Sequence, residues 1–136
     1  MALAGYSGTP LLKKLGIKPG MKILLISTPA NYFKLLQEDI SGQLITAKQN
    51  PDLVHLFAKD YSAFKEAMKT ILKLCKLNSS VIVWVSWYKK SSGITTDLTE
   101  DLIRQFALKN DLVDIKVCAV SELWSGLKLV VPVSKR

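Results

Sequence analysis

The residues best suited to chemistry lie together in one short loop, which follows the most hydrophobic segment of the chain. The loop supplies two ammonium groups, two hydroxyls and a glycine, in the order Lys89, Lys90, Ser91, Ser92 and Gly93. Ammonium, hydroxyl and backbone N–H groups all attract a phosphate or a carboxylate. A Walker A pattern is absent, so nucleotide hydrolysis is not expected. The sequence predicts an anion-binding loop or, as the alternative, a solvated loop whose lysines serve solubility.

Few residues of the sequence are candidates for a catalytic role. The one histidine, His55, sits inside an apolar segment, which is typical of a core imidazole with satisfied hydrogen bonds. Three carboxylates lie close together at Asp97, Glu100 and Asp101, but their spacing is that of a helix start, where acidic groups cap N–H groups and complement the dipole. We therefore expect no catalytic residue.

The two cysteines, Cys75 and Cys118, are far apart and stand among apolar residues. This setting favours small buried thiols in a reducing compartment over a disulfide. Together with one histidine they are too few for a structural zinc site, which needs four ligands in close pairs. The sequence predicts neither a metal nor a cofactor.

Composition and charge limit the class of protein. The chain has 136 residues, of which 49% are hydrophobic, and a mean hydropathy of +0.20, values that exclude a disordered chain. Its net charge is +8, yet the nineteen Lys and Arg residues include only two arginines, Arg104 and Arg136. Sequence-specific reading of nucleic acid favours arginine. Nucleic acid is therefore not the expected partner, although non-specific binding stays an alternative.

Location can be predicted from what the sequence lacks. No apolar run approaches the ~20 residues of a membrane span. The first ten residues lack the basic and apolar regions of a signal peptide. We expect a cytoplasmic protein that does not enter the membrane.

Strands and helices alternate along the chain and must position the lysine loop. Strands are predicted at 22–27, 52–57, 81–87, 113–120 and 127–133, with a weaker one at 43–47. Helices are predicted at 11–15, 32–36, 60–77 and 97–109. Residues 1–20 are expected to form an N-terminal arm whose short helix is capped by Thr9, and residues 21–136 a single domain.

This order predicts an α/β fold: a Rossmann-like three-layer sandwich with a mostly parallel sheet and a C-terminal antiparallel hairpin. The first two strong strands are expected at the sheet centre. A crevice at their carboxyl ends would join polar groups after each strand to the lysine loop, with aromatic rings nearby. Besides the loop, the candidate binding residues are Thr28, Asn31, Lys59, Trp87 and Trp124.

Several segments resemble a bacterial family of uncharacterised proteins, the domain of unknown function numbered 3052. They are GYSGTPL at 5–11, KKLGI at 13–17, WYKKSSG at 87–93, TDLTED at 96–101 and WSGLKL at 124–129. The resemblance covers nearly the whole chain and implies a bacterial origin, but it carries no established activity or site residue.

The order of elements is also similar to the class I methyltransferase-like Rossmann sheet, with one unit missing near the weak strand. Such enzymes have a glycine-rich loop after their first strand. Here that position is occupied by Ser-Thr-Pro-Ala-Asn at 27–31. The sequence therefore predicts a protein that binds an anionic small molecule or a protein partner. The alternatives are a degenerate methyltransferase-like enzyme and non-specific nucleic-acid binding.

Overall fold

The computed structural model describes residues 9–46 and 49–136, which contain a five-stranded sheet. Its strands are β1 Ile23–Ile26, β2 Leu53–Phe57, β3 Ile82–Tyr88, β4 Val113–Ala119 and β5 Trp124–Val130. Their order across the sheet is β1-β2-β3-β5-β4. β1, β2 and β3 pair in parallel, whereas β5 is antiparallel to both β3 and β4. The sheet is mixed, so the prediction of a mostly parallel sheet holds only for the β1–β3 half.

Helices cover both faces of the sheet, as the three-layer prediction requires. They are α1 Leu11–Leu15, α2 Tyr32–Leu36, α3 Tyr61–Leu77 and α4 Glu100–Lys109. One apolar cluster packs α3 and α4 against one face, and a second packs α1 and α2 against the other. α1 belongs to the predicted arm, but its buried Leu11 and Leu15 make it part of the core. Residues 1–8 of that arm lie outside the described residues.

The predicted central position of the first two strands is wrong for β1. β3 is the middle strand, and β1 lies at the outer side of β2. The predicted strand at 43–47 is also wrong: a single 3₁₀ turn, Ser41–Gln43, precedes one parallel bridge between Leu44 and Ile23, and residue 47 lies outside the described residues. This segment has no sustained apolar alternation, so nothing extends the pairing along β1.

The start of α3 follows from local sequence. Asp60 is the N-cap, and its Oδ1 accepts a hydrogen bond of 2.8 Å from the N–H of Ala63. Phe64, Met68 and Ile71 recur at helical spacing and are buried. The lysines of the opposite face are exposed, as predicted; they are Lys65, Lys69, Lys73 and Lys76. α3 therefore begins where a capping carboxylate directly precedes apolar residues that recur with the helical period of 3.6 residues.

The capping residues predicted for α4 and α1 are wrong. The N-cap of α4 is Thr99, whose hydroxyl accepts from the N–H of Leu102 at 3.2 Å, so α4 begins three residues later than predicted. Asp97 instead accepts from the N–H of Tyr61 at 2.9 Å, in the first turn of α3. α1 has Pro10 as its N-cap with no side-chain hydrogen bond, so Thr9 is not the cap.

The C-terminal hairpin is present, with a tighter turn than predicted. β5 begins at Trp124, and the Ser121 hydroxyl accepts from the N–H groups of Leu123 and Trp124 at 3.2 Å each. Gly126 on β5 is closely packed, because a Cβ there would lie 3.0 Å from Val120 and 3.3 Å from Trp84. The hairpin therefore sits directly against β3.

The two thiols lie in different layers. Cys75 is buried in the α3 and α4 cluster, where burial raises its pKa to about 11. Cys118 is half-buried against the opposite cluster, so only Cys75 is the core thiol expected from the sequence.

None of the helices formed by residues 9–46 and 49–136 is long and apolar enough to cross a membrane.

Candidate functional site at the carboxyl edge of the sheet

The predicted polar residues follow the carboxyl ends of three parallel strands. Thr28 and Asn31 come after β1, Lys59 after β2, and the lysine loop after β3. Since these strands pair in parallel, all of these residues lie at the same edge of the sheet. The backbone turns sharply after β1, where Ser27 has a φ of +56°, a conformation that favours glycine.

The lysine loop is an ordered turn with its own hydrogen bonds. Lys90–Ser92 form one 3₁₀ turn, and Gly93 ends it with a φ of +78°, which glycine adopts readily. The Ser92 hydroxyl donates to the carbonyl of Lys89 at 2.6 Å and accepts from the N–H of Ile94 at 3.1 Å. Ser92 therefore serves the turn itself, which leaves Lys90 and Ser91 as the exposed polar groups of the loop.

A cavity of about 900 Å³ opens between this turn and the start of α4. Of the predicted site residues, it brings together Trp87, Lys89, Lys90 and Ser91. Sequence reasoning missed the other lining residues, which are Tyr88, Ile94, Thr95, Thr96, Leu98, Thr99, Glu100, Asp101 and Ser125. Most of them form the connection between the turn and α4. The threonine-rich composition of this connection, directly after the lysine loop, is the sequence signal that could have identified it as part of the site.

The connection is fixed to the neighbouring strand end. The Thr96 hydroxyl donates to the carbonyl of Lys59 at 2.6 Å, and it also accepts from the N–H of Leu98 at 3.1 Å. Asp97 holds the first turn of α3, as described above. The cavity wall is thereby tied to the end of β2 and to α3, so the site is positioned by two elements besides its own loop.

The charges around the cavity are balanced. Lys89 and Lys90 stand on one side, while Glu100 and Asp101 occupy the first turn of α4. Arg104 pairs with Glu100 and lies 3.9 Å from Asp101. Its hydrogen bond to Asp114, at 3.0 Å, and the carboxylates nearby raise the pKa of Arg104. The acidic first turn offsets the positive end of the α4 dipole, so that helix end adds little attraction for an anion.

Six predicted site residues do not line this cavity: Thr28, Asn31, Lys59, Ser92, Gly93 and Trp124. Trp124 belongs to the α1 and α2 side of the sheet, where its ring stacks on Tyr88 with centroids 4.2 Å apart. Trp87 belongs to the α3 and α4 side. Both indoles are less than a tenth exposed, so they pack as core rings and lie on opposite faces of the sheet.

His55 is the centre of a buried hydrogen-bonded chain. Its Nδ1 lies 2.7 Å from the hydroxyl of Tyr32, and its Nε2 lies 2.7 Å from the hydroxyl of Ser86. The ring is fully buried and stacks on Phe57. Burial lowers the pKa of His55 to about 3 and raises the pKa of Tyr32. The predicted core imidazole is confirmed, because both ring nitrogens are occupied and the ring stays neutral at physiological pH.

Over residues 9–46 and 49–136, no three His, Cys, Asp or Glu side chains come together as metal ligands would. Every fully buried side-chain nitrogen or oxygen in those ranges has a hydrogen-bond partner. The side chains of the described interior thus leave no buried nitrogen or oxygen without a hydrogen bond.

Comparisons with known proteins show the fold. No protein-family model and no curated protein matches the sequence. An uncharacterized protein from Listeria monocytogenes serotype 4b is similar in structure, with a TM-score of 0.57 and 9% identity over 93% of this chain and 69% of that one. A candidate tRNA (m1A22) methyltransferase from Streptococcus pneumoniae has a TM-score of 0.55 and 6% identity over 90% and 70%.

A third similar structure is a variant of LepI in complex with SAH and a substrate analogue. Its TM-score is 0.52 at 12% identity, and the match covers 90% of this chain but 39% of that one. At these identities the likeness concerns the fold alone. The protein has a Rossmann-like α/β fold of the kind found in methyltransferases, as the order of elements predicted. The resemblance to the family numbered 3052 stays a prediction.

Proposed function

We propose that the protein binds a small anionic molecule in the cavity between the Lys90–Ser92 turn and the start of α4. The observation that carries this proposal is the cavity itself, about 900 Å³ at the carboxyl end of the middle strand. Open α/β sheets bind their ligands at this edge. A cavity of this size is in the usual range for a small-molecule site.

The balanced charge defines the kind of ligand. Lys90 and the Ser91 hydroxyl suit a phosphate or carboxylate, whereas Asp101, the more exposed of the two carboxylates, suits a hydroxyl or amino group. The hydroxyls of Thr95, Thr99 and Ser125 lie around the same cavity. The ligand therefore carries an anionic group at one end and hydrogen-bond donors at the other.

AMP is a suitable probe, since it joins a phosphate to a ribose with two hydroxyls. We expect saturable binding by isothermal titration, and we expect Lys90→Ala to weaken it about tenfold, because one charge-assisted hydrogen bond is lost. The matched control is Lys73→Ala, which removes the same charge from the exposed face of α3, away from the cavity. Equal loss in both variants, or no saturable binding of AMP, would contradict the proposed site.

A methyltransferase-like enzyme is the second candidate function, favoured by the fold and by the glycine-like conformation of Ser27 after β1. Against it, the loop at 27–31 has no glycine. If this candidate is right, S-adenosylhomocysteine should bind with micromolar affinity beside that loop. Asn31→Trp, a bulky change at an exposed position, should then abolish binding, while Lys90→Ala should leave it unchanged. If Lys90→Ala abolishes binding of S-adenosylhomocysteine and Asn31→Trp leaves it unchanged, the ligand binds at the lysine turn instead.

A further inference from the structure

A second cavity, of about 500 Å³, lies at the opposite edge of the sheet. α3 and α4 both end there, because each precedes a strand that starts from that edge. β5 also ends there, since it runs antiparallel to β3. The cavity thus gathers the ends of three elements that are distant in sequence.

This cavity is strongly basic. Four cationic residues line it, namely Lys76, Lys109, Lys135 and Arg136, together with one carboxylate, Asp111. Asp111 lies 3.6 Å from the ammonium of Lys135. Within the described part of the chain, the ammonium groups of Lys76 and Lys109 make no ion pair and no hydrogen bond. The charge of this cavity therefore differs from that of the carboxyl-edge cavity, where two lysines face two carboxylates.

The helix dipoles explain the positions of only two of these four cationic residues. Lys76 and Lys109 are in the last turns of α3 and α4, where a cation complements the negative end of the helix. Lys135 ends a 3₁₀ turn that follows β5, and the Nε–H of Arg136 donates to the carbonyl of Val131 at 3.0 Å, so neither residue complements the end of an α-helix. The side chain of Asn110 already donates to the carbonyl of Phe106 at 2.8 Å, at the end of α4. The cationic groups therefore exceed what the helix ends require.

Part of the cavity lining is apolar. Cys75, Leu112 and Val131 line it and are buried. The segments that line it also carry the three most exposed large apolar side chains of the described residues: Leu77, Leu108 and Val133 are 73%, 65% and 80% exposed. Leu77 and Leu108 directly adjoin Lys76 and Lys109 in sequence. Exposed apolar side chains beside clustered cations suit a ligand in which a phosphate is attached to an apolar group.

We propose that this amino-edge cavity binds a multiply charged phosphate group, presented either by a free phosphate compound or by the headgroup of an anionic lipid. Clustered ammonium and guanidinium groups neutralise more than one negative charge, which a monovalent carboxylate would not use. The proposal does not depend on the function proposed for the carboxyl-edge cavity.

Titration of the ¹⁵N-labelled chain with inorganic pyrophosphate tests the phosphate site. We expect saturable amide shifts at residues 109–112 and 131–136, and binding at least tenfold weaker when Lys76→Ala and Lys109→Ala are combined. The control combines Lys13→Ala and Lys34→Ala, which remove two exposed charges from the opposite layer. No saturable shift, or an equal loss in the control, would overturn the proposal for a free phosphate compound.

Sedimentation with equimolar phosphatidic acid and phosphatidylcholine vesicles distinguishes the source, because the phosphomonoester of phosphatidic acid carries more than one negative charge. If a lipid headgroup is the ligand, the vesicles should carry the protein down, and both Leu77→Ser and the Lys76 and Lys109 double variant should release it. If the ligand is a free phosphate compound, pyrophosphate binding should persist in Leu77→Ser and the vesicles should not bind. Failure of both probes, or vesicle binding that survives loss of both lysines, overturns the site.

Discussion

Replacing Trp84 by alanine should lower the free energy of unfolding by about 3–5 kcal/mol. The indole lies on β3, is fully buried, and packs in the cluster that holds α1 and α2 on the sheet. Its Nε1 donates to the carbonyl of Leu15 at 2.9 Å, at the end of α1. Alanine would leave both a cavity and an unsatisfied carbonyl. Urea unfolding followed by far-UV circular dichroism measures the loss.

The matched control for Trp84 is Leu108→Ala. Leu108 is on α4 and 65% exposed, so its truncation should change the free energy of unfolding by less than about 0.5 kcal/mol. Amide exchange gives a second readout, since loss of the indole should raise exchange in α1 more than in α3. A cost below about 1 kcal/mol for Trp84→Ala would contradict the packing of α1 on β3.

Elements with strong local signals could be predicted from the sequence. β2 and β3 are apolar runs of a length that only a buried strand suits, and both are strands at nearly the predicted positions. α3 combines a capping Asp60 with apolar residues at helical spacing, so its start and its buried face both follow from the sequence. These signals fixed the layered α/β architecture, because alternating strands and helices have few ways to pack.

Features set by distant contacts could not be predicted. Asp97 has the spacing of a capping residue for the next helix, yet it bonds the N–H of Tyr61, 36 positions earlier in the chain. Thr99 satisfies the start of α4 instead. Aspartate and threonine are both common N-cap residues, with aspartate slightly preferred, so local preference alone does not place the start of α4 at Thr99. The choice depends on the connection at 94–99 lying against the end of β2.

The site shows the same division between local and distant information. Lys90 and Ser91 line the carboxyl-edge cavity because they directly follow β3, a local feature. Thr28, Asn31 and Lys59, which were predicted to share a crevice with them, do not line this cavity. Trp87 and Trp124 looked alike in sequence, yet they lie on opposite faces, which depends on the pairing of β3 with β5. The basic cavity was missed altogether, because its residues belong to three segments that meet only when α3, α4 and β5 end at one edge.

Lowering the pH from 7.5 to 5 should reduce the free energy of unfolding by about 2 kcal/mol through His55 alone. Burial lowers the pKa of His55 to about 3, below its usual value of 6.5, so the unfolded chain binds a proton that the folded chain excludes. Stability is therefore fully present above pH 6.5 and is lost as the pH falls towards 3. The slope approaches 1.36 kcal/mol per pH unit. Urea unfolding at several pH values measures it.

This pH range reports on one side chain, because the chain has a single histidine and histidine is the side chain whose ordinary pKa lies between pH 5 and 7.5. His55→Gln is the matched variant: its amide can still hydrogen-bond to Tyr32 or Ser86, but it does not titrate. Its stability should be lower overall and nearly flat between pH 7.5 and 5. Equal slopes of stability against pH in the two proteins would mean that His55 accepts a proton in the folded state. The buried hydrogen bonds that link Tyr32, His55 and Ser86 would then be incorrect.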